Sequence, residues 1–257
     1  RSFLAKLRIA YPKSNIDVVY LKQAPSEDQL ELLPVNNIES HILNIKTPFL
    51  VKWYNKLYWR LFHVSLNERY THKVFGSYIK KINYNSYDHI FIRSGGVDHE
   101  MLLAAVDLPI LKQAILVFHD PYPLFWYSGV NRALTKLELR RYEKMFKAVC
   151  QAKTCISSAY FMSRDLEFLY GTRKHFYTLP HQYDQSVFRL TDHPNCFEKK
   201  KQIMICYHGA IQFGRDICPL LNAYKELVTN NDWCKNNTEF VVRVKNTLDI
   251  NYLTNKY

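Results

Sequence analysis

Glycine is scarce, at 7 of 257 residues, which excludes collagen-like and glycine-rich architectures. No apolar run reaches the roughly 18 residues that a membrane-crossing helix needs. No secretory leader pattern opens the chain. The six cysteines form no CxxC pair, and no Cys/His grouping has zinc-finger spacing. HExxH and paired-acid metal motifs are missing, as are GxGxxG, the Walker-type phosphate loop and the GxSxG elbow. No Ser/His/Asp triad can be picked out. No RNP, KH or helix-turn-helix pattern speaks for nucleic-acid binding.

What is present is charge and aromatic mass. Lys and Arg number 35 against 23 Asp and Glu, a formal net charge of +12, and there are 19 tyrosines. A basic balance favours an anionic partner or a plainly basic surface, and carries no information on fold. Hydrophobic residues at 47% and charged residues at 23% are globular values. Cys206 lies in an apolar run, where a cysteine packs as a small hydrophobe, and a reduced, cytoplasmic compartment fits the cysteine usage. The Asn236-Asn237-Thr238 sequon reads as chance.

Hydropathy patterning divides the chain. Residues 1–10 have helical rhythm and stop near Pro12. The opening lacks an initiator Met, so a preceding segment is expected. Ile16 to Leu21 is a β-branched strand, and 22–48 is loop with a strand near Ile42 to Ile45. Residues 49–82 are helical, with Leu50, Trp53, Tyr54, Leu57, Leu61 and Val64 in phase and Lys52, Lys56 and Arg60 between them. That pattern fits a core helix with a solvated side, or peripheral contact with an anionic membrane.

Strands then alternate with helices. Strands are expected at Asp88–Arg93, Ala114–Phe118, Lys153–Ser157 and His175–Leu179. Helices are expected at 99–106 (capped by Asp98), about 130–149, and 158–170 ending at Gly171. This order means βαβ units and a parallel sheet, with ligands at the carboxyl ends of the strands. Residues 1–188 form the first domain and 189–201, polar and broken by Pro194, a linker. Residues 202–257 begin a second domain with a strand at Ile203–Tyr207, a helix at Ile217–Thr229 and a strand at Glu239–Val244. That domain is expected to be truncated.

Several strand ends carry polar groups suited to a ligand. His208-Gly209 opens a loop running through Arg215 to a helix start, where backbone amides and a cation would attract a diphosphate. The same pattern also makes an ordinary βα turn. His119-Asp120 follows a central strand, where the imidazole could bond a sugar hydroxyl or phosphate oxygen, or be satisfied within a rigid loop. Ser157 and Ser158 suit helix capping or a ligand. His181 and Asp184 lie in the turn after Leu179-Pro180, where Asp184 fits a ligand or an Asx-turn. Gly95 and Gly96 close the first strand of the alternation and suit a ligand contact or a plain turn.

Taken in order, these segments resemble the retaining GT-B glycosyltransferases of family 4. An apolar strand ends in His119-Asp120. AKTCISSAYFMSRDLEFLYG (152–171) is similar to that family's strand-Ser-helix-Tyr-Gly passage, FYTLPHQYDQSVF (176–188) to its interdomain segment, and IMICYHGAIQFGRDICPLLNAYKEL (203–227) to the opening of its second domain. The resemblance implies an α/β GT-B-like fold: two Rossmann-like domains with parallel sheets, the first strand region and the second domain being incomplete here. It implies sugar transfer from a nucleotide-diphosphate donor to a saccharide or lipid-linked acceptor, with no metal or other cofactor and no nucleic-acid partner.

His119 would then contact the transferred sugar. Gly209 would face the diphosphate, with His208 and Ser158 also on the donor side, and Arg215 would neutralise the leaving group. Gly95, Gly96, Asp120, His181 and Asp184 would line the acceptor side or cleft. His181-Gln182 stands where the family has Asn-Gly, and Asp216 follows Arg215 where it has Lys-Gly. The family's glycine-rich first loop and its Glu-x7-Glu motif would lie outside residues 1–257. The competing class is a basic, non-enzymatic α/β module for nucleic acid or another polyanion. A sugar-nucleotide epimerase on the same fold is a third.

Overall fold

The structure, a computed structural model, describes residues 2–23, 25, 30–43, 45–93, 98–123, 133–171, 174–181, 202–209, 216–244 and 253. It divides into two compact units, residues 1–185 and 186–257. Both are α/β with parallel strand pairing.

The first unit is organised around four short strands. These are β3 (Ile90–Arg93), β4 (Ala114–Phe118), β5 (Thr154–Ser157) and β6 (Phe176–Thr178), adjacent in that order and all parallel. Parallel neighbours require long crossovers. Here they contain α4 (Glu100–Ala104), α5 (Lys136–Gln151) and α6 (Tyr160–Tyr170). The inner strand β4 reads Ala-Ile-Leu-Val-Phe, and four of its five residues are buried. A strand covered on both faces reads as a continuous apolar run rather than an alternation. The core joins Leu116 and Phe118 to Leu102, Leu111, Met145, Leu166, Tyr170 and Phe176. Cys155 lies within it, and burial pushes its thiol up to about 12.

Ahead of that sheet come α1 (Ser2–Ala10) and a parallel pair, β1 (Asp17–Lys22) with β2 (Asn37–Ile42). The strand expected at 42–45 lies earlier, because Asn36 sets its start. The Asn36 Oδ1 accepts from the Ile16 amide at 2.8 Å and from Arg8 at 2.6 Å, which puts Asp17 opposite Asn37. Leu21 of β1 joins the same core as the four-stranded sheet.

The expected helix over 49–82 is two helices, α2 (Phe49–Phe62) and α3 (Leu66–Ile79). His63 ends the first in the left-handed region at φ 52°, and Ser65 caps the second by accepting from the Glu68 amide. Helix α3 packs into the core through Phe75 and Ile79. Gly76 permits its approach to α4, since a Cβ there would meet the Ala104 carbonyl at 3.1 Å. Helix α2 buries no residue, so the core-helix alternative fails for it.

Three further expectations are corrected. Asp98 does not cap α4: the N-cap is His99, at φ 49°, without a side-chain cap bond. Ser157 and Ser158 do not cap α6, whose N-cap is Ala159, because the Ser157 hydroxyl is already bonded elsewhere. Helix α5 starts later than expected, where Thr135 and Glu138 form a reciprocal capping box.

The second unit contains β7 (Ile203–His208) and β8 (Thr238–Arg243), paired in parallel, with α7 (Cys218–Asn230) and a short α8 (Asp232–Asn237) between them. Its small core is Ile217, Leu221 and Leu253, with Tyr207, Phe240 and Val242 packed against it. Cys206 is exposed on β7 rather than packed. The expected linker at 189–201 lies outside the described residues.

Candidate functional site

Because β3 to β6 run parallel, their carboxyl ends meet along one edge. Arg93 ends β3, and His119 follows β4. Ser157 and Ser158 sit at the end of β5, and His181 comes three residues after β6. These residues, with Phe3 and Lys6 of α1, line one cleft of about 330 Å³, open solvent included. Phe3 packs edge-on against Phe91 of β3, ring centroids 5.2 Å apart, and this brings α1 to the cleft.

His119 is the best-defined polar group there. Its Nε2 lies 3.4 Å from the Asp120 carboxylate, and its Nδ1 is buried without a partner. Burial lowers its pKa, Asp120 opposes that, and the nearby Arg93 and His181 add to the lowering. Behind it sits His99, fully buried, with its ring 5.2 Å from that of His119. Neither ring nitrogen of His99 has a partner of hydrogen-bond geometry, although the Asp120 backbone favours the protonated form. Burial pushes its pKa down to about 4, helped by the neighbouring His119.

The rest of the edge is held by hydroxyls. Ser157 Oγ lies 2.7 Å from Ser163 Oγ, which lies 2.9 Å from Thr178 Oγ1, a chain linking β5, α6 and β6. Ser157 Oγ also donates to the Ala159 carbonyl at 3.1 Å. Ser157 is therefore structural, and Ser158 is the half-buried hydroxyl residue beside it on the cleft. The loop after β4 is anchored from below: the buried Tyr170 hydroxyl at the end of α6 donates to the Tyr122 carbonyl at 2.6 Å.

In the second unit, His208 ends β7 in register with Arg243 of β8. Gly209 follows at φ 152°, and its amide donates to the Arg243 carbonyl at 3.1 Å. That backbone favours glycine.

The structure thus gathers His119, Asp120, Ser158 and His181 on one edge and places His208 and Gly209 at the strand end of the other unit. Gly95, Gly96, Asp184 and Arg215 lie outside the described residues. Lys6, Arg93, His99 and Arg243 went unremarked in the sequence as site residues. For Arg93 the signal was there, a cation on the last residue of the expected strand; Arg243 stood one residue inside the strand expected to end at Val244. Lys6 and His99 carry none. Among the described residues no group of three or more His, Cys, Asp or Glu could hold a metal ion. Compared with known families and curated proteins, the chain matches no family model and no curated sequence.

Proposed function

We propose that this chain belongs to a retaining glycosyltransferase that moves a sugar from a nucleotide-diphosphate donor to a saccharide or lipid-linked acceptor. The observation that carries this reading is His119. It sits past the end of an inner parallel strand and lines a cleft that also holds Lys6, Arg93, Ser158 and His181. The resemblance of the segments around it supplies the reaction class, and parallel-sheet proteins bind ligands at this edge.

The chemistry follows from the imidazole. Asp120 beside Nε2 favours the proton there, so the Nε2–H edge is the one that can donate to a sugar oxygen, while Nδ1 is enclosed. Neutral His119 then orients the sugar without taking its proton. In the transfer the bond from the anomeric carbon to the diphosphate breaks, and its electron pair leaves with the nucleotide. The acceptor oxygen bonds to the same face and passes its proton to the departing diphosphate oxygen. Cations stabilise the departing charge. Arg215 is assigned that role by resemblance, and Gly209 permits close approach of the backbone.

A panel of nucleoside-diphosphate sugars, varied in base and in sugar, tests the reading with product analysis by NMR. One donor should be selected, its anomeric configuration kept, and His119→Ala should slow transfer on the order of 100-fold. Binding that ignores base and sugar and falls steeply with salt would replace this reading with the polyanion-binding module.

A further inference from the structure

Helix α2 has fourteen residues, Phe-Leu-Val-Lys-Trp-Tyr-Asn-Lys-Leu-Tyr-Trp-Arg-Leu-Phe, and none is buried. Its large side chains stand in solvent: Phe49 is 78% exposed, Leu50 66%, Trp53 59% and Leu61 61%. Tyr54, Leu57, Tyr58, Trp59 and Phe62 are exposed as well. Isolated exposed apolar residues need no explanation, but a contiguous patch of this kind marks an interaction surface.

The pattern around the helix axis is ordered. At about 100° per residue, Trp53, Leu57, Leu50, Leu61, Tyr54 and Tyr58 fall within one arc of roughly 140°. Lys52, Lys56 and Arg60 cluster on the flank beyond Trp53, with Phe49 between them and Trp59 beside Lys52. The opposite flank carries Val51 and Asn55, both half-buried. The Asn55 Oδ1 accepts from the Leu66 amide at 2.7 Å and so fixes α2 to the start of α3. The helix is tethered along one narrow line and open elsewhere. It contains no acidic residue.

We propose that α2 docks the protein on an anionic lipid surface, lying in the interface with its aromatic arc inward and Lys52, Lys56 and Arg60 at the phosphate level. Three features select lipid over protein. Trp and Tyr favour the headgroup boundary, and two of each sit on this one helix. The three cations complement phosphate. A second copy fits poorly, because a two-fold contact would bring both cation sets together with no acid on either helix to offset them. No helix among the described residues is long and apolar enough to cross a membrane, so the contact is peripheral as far as these residues go. The inference is independent of the transferase reading.

Co-sedimentation with vesicles, with no sugar donor present, tests it. Equal parts phosphatidylcholine and phosphatidylglycerol are compared with phosphatidylcholine alone. The chain should bind the anionic vesicles with a blue shift in tryptophan emission, and bind the neutral ones much more weakly. Replacing Lys52, Lys56 and Arg60 together by Gln should weaken anionic binding on the order of 100-fold, at about 5-fold per cation. Leu57→Ser with Leu61→Ser should also weaken it, while an unchanged circular dichroism spectrum shows that both variants fold. No binding to the anionic vesicles overturns the proposal, and so does binding that both variants keep. Self-association that Leu57→Ser and Leu61→Ser abolish, without vesicle binding, assigns the surface to a second copy instead.

Discussion

The rings of His99 and His119 face each other obliquely, centroids 5.2 Å apart and planes at 37°, one imidazole sealed in the core and the other on the cleft. Buried imidazoles make acid a stress on the first unit. Burial holds the pKa of His99 near 4 against an ordinary value of 6.5, and holds that of His72 near 3 with help from Lys144 and Arg141. Above pH 6.5 both are neutral, folded or unfolded. As pH falls below that value the unfolded chain takes up protons that the folded chain refuses, so stability declines until the folded values are reached. His99→Phe removes one such proton. Between pH 6 and pH 4 the loss of unfolding free energy should ease by about 1 kcal/mol per pH unit on average, measured by urea titration. An unchanged slope would mean that His99 titrates normally in the folded chain.

The electrostatics of the cleft predict two opposite shifts at one nucleus. Arg93 lowers the pKa of His119 and Asp120 raises it. Arg93→Gln should move the His119 titration upward, and Asp120→Asn should move it downward. Proton NMR of the imidazole carbon protons reads both. Shifts of the same sign would show that the charges are not arranged around His119 as described.

The capping box at the start of α5 should be separable from the cleft. Thr135→Ala loses the bond to the Glu138 amide, 3.2 Å long, and should cost about 1 kcal/mol of stability. Thr135→Ser should restore most of it. Both are read as shifts in the denaturant midpoint, with the His119 titration unmoved.

Gly209 makes a local prediction for the second unit. Gly209→Ala puts a side chain at φ 152°, and among the described residues it would meet only the Tyr207 hydroxyl, at 3.9 Å. The penalty is therefore backbone strain rather than a clash, about 1–2 kcal/mol. Hydrogen exchange should quicken in β7 and β8 while β3 to β6 keep their protection.

Much of the parallel sheet was legible in the sequence, and the reason is burial. Strands such as Ala-Ile-Leu-Val-Phe are covered on both faces, so their apolar runs stand out without tertiary knowledge. Strand β2, Asn-Ile-Glu-Ser-His-Ile, has little buried face, and its position depends on Asn36 meeting Ile16. The boundary between α2 and α3 depends on one residue, His63, in a conformation that composition does not announce. At the site, the strand-end rule finds His119, Asp120, Ser158 and His181, because it needs only the strand order. It does not find Lys6, which reaches the cleft because Phe3 packs on Phe91, nor His99, which becomes notable only once its nitrogens prove to be unpartnered. The exposure of α2 is likewise a tertiary fact: the same spacing would serve a core helix.

The tie between Tyr170 and the Tyr122 carbonyl bears on how this cleft could be transplanted. The loop bearing His119 and Asp120 is held by a tyrosine 48 residues downstream of Tyr122. A graft of residues 119–123 onto another parallel sheet would deliver the side chains without their aim. The smallest portable unit is the loop together with the end of α6, and any scaffold chosen to receive it must supply a buried hydroxyl beneath the second residue after the aspartate.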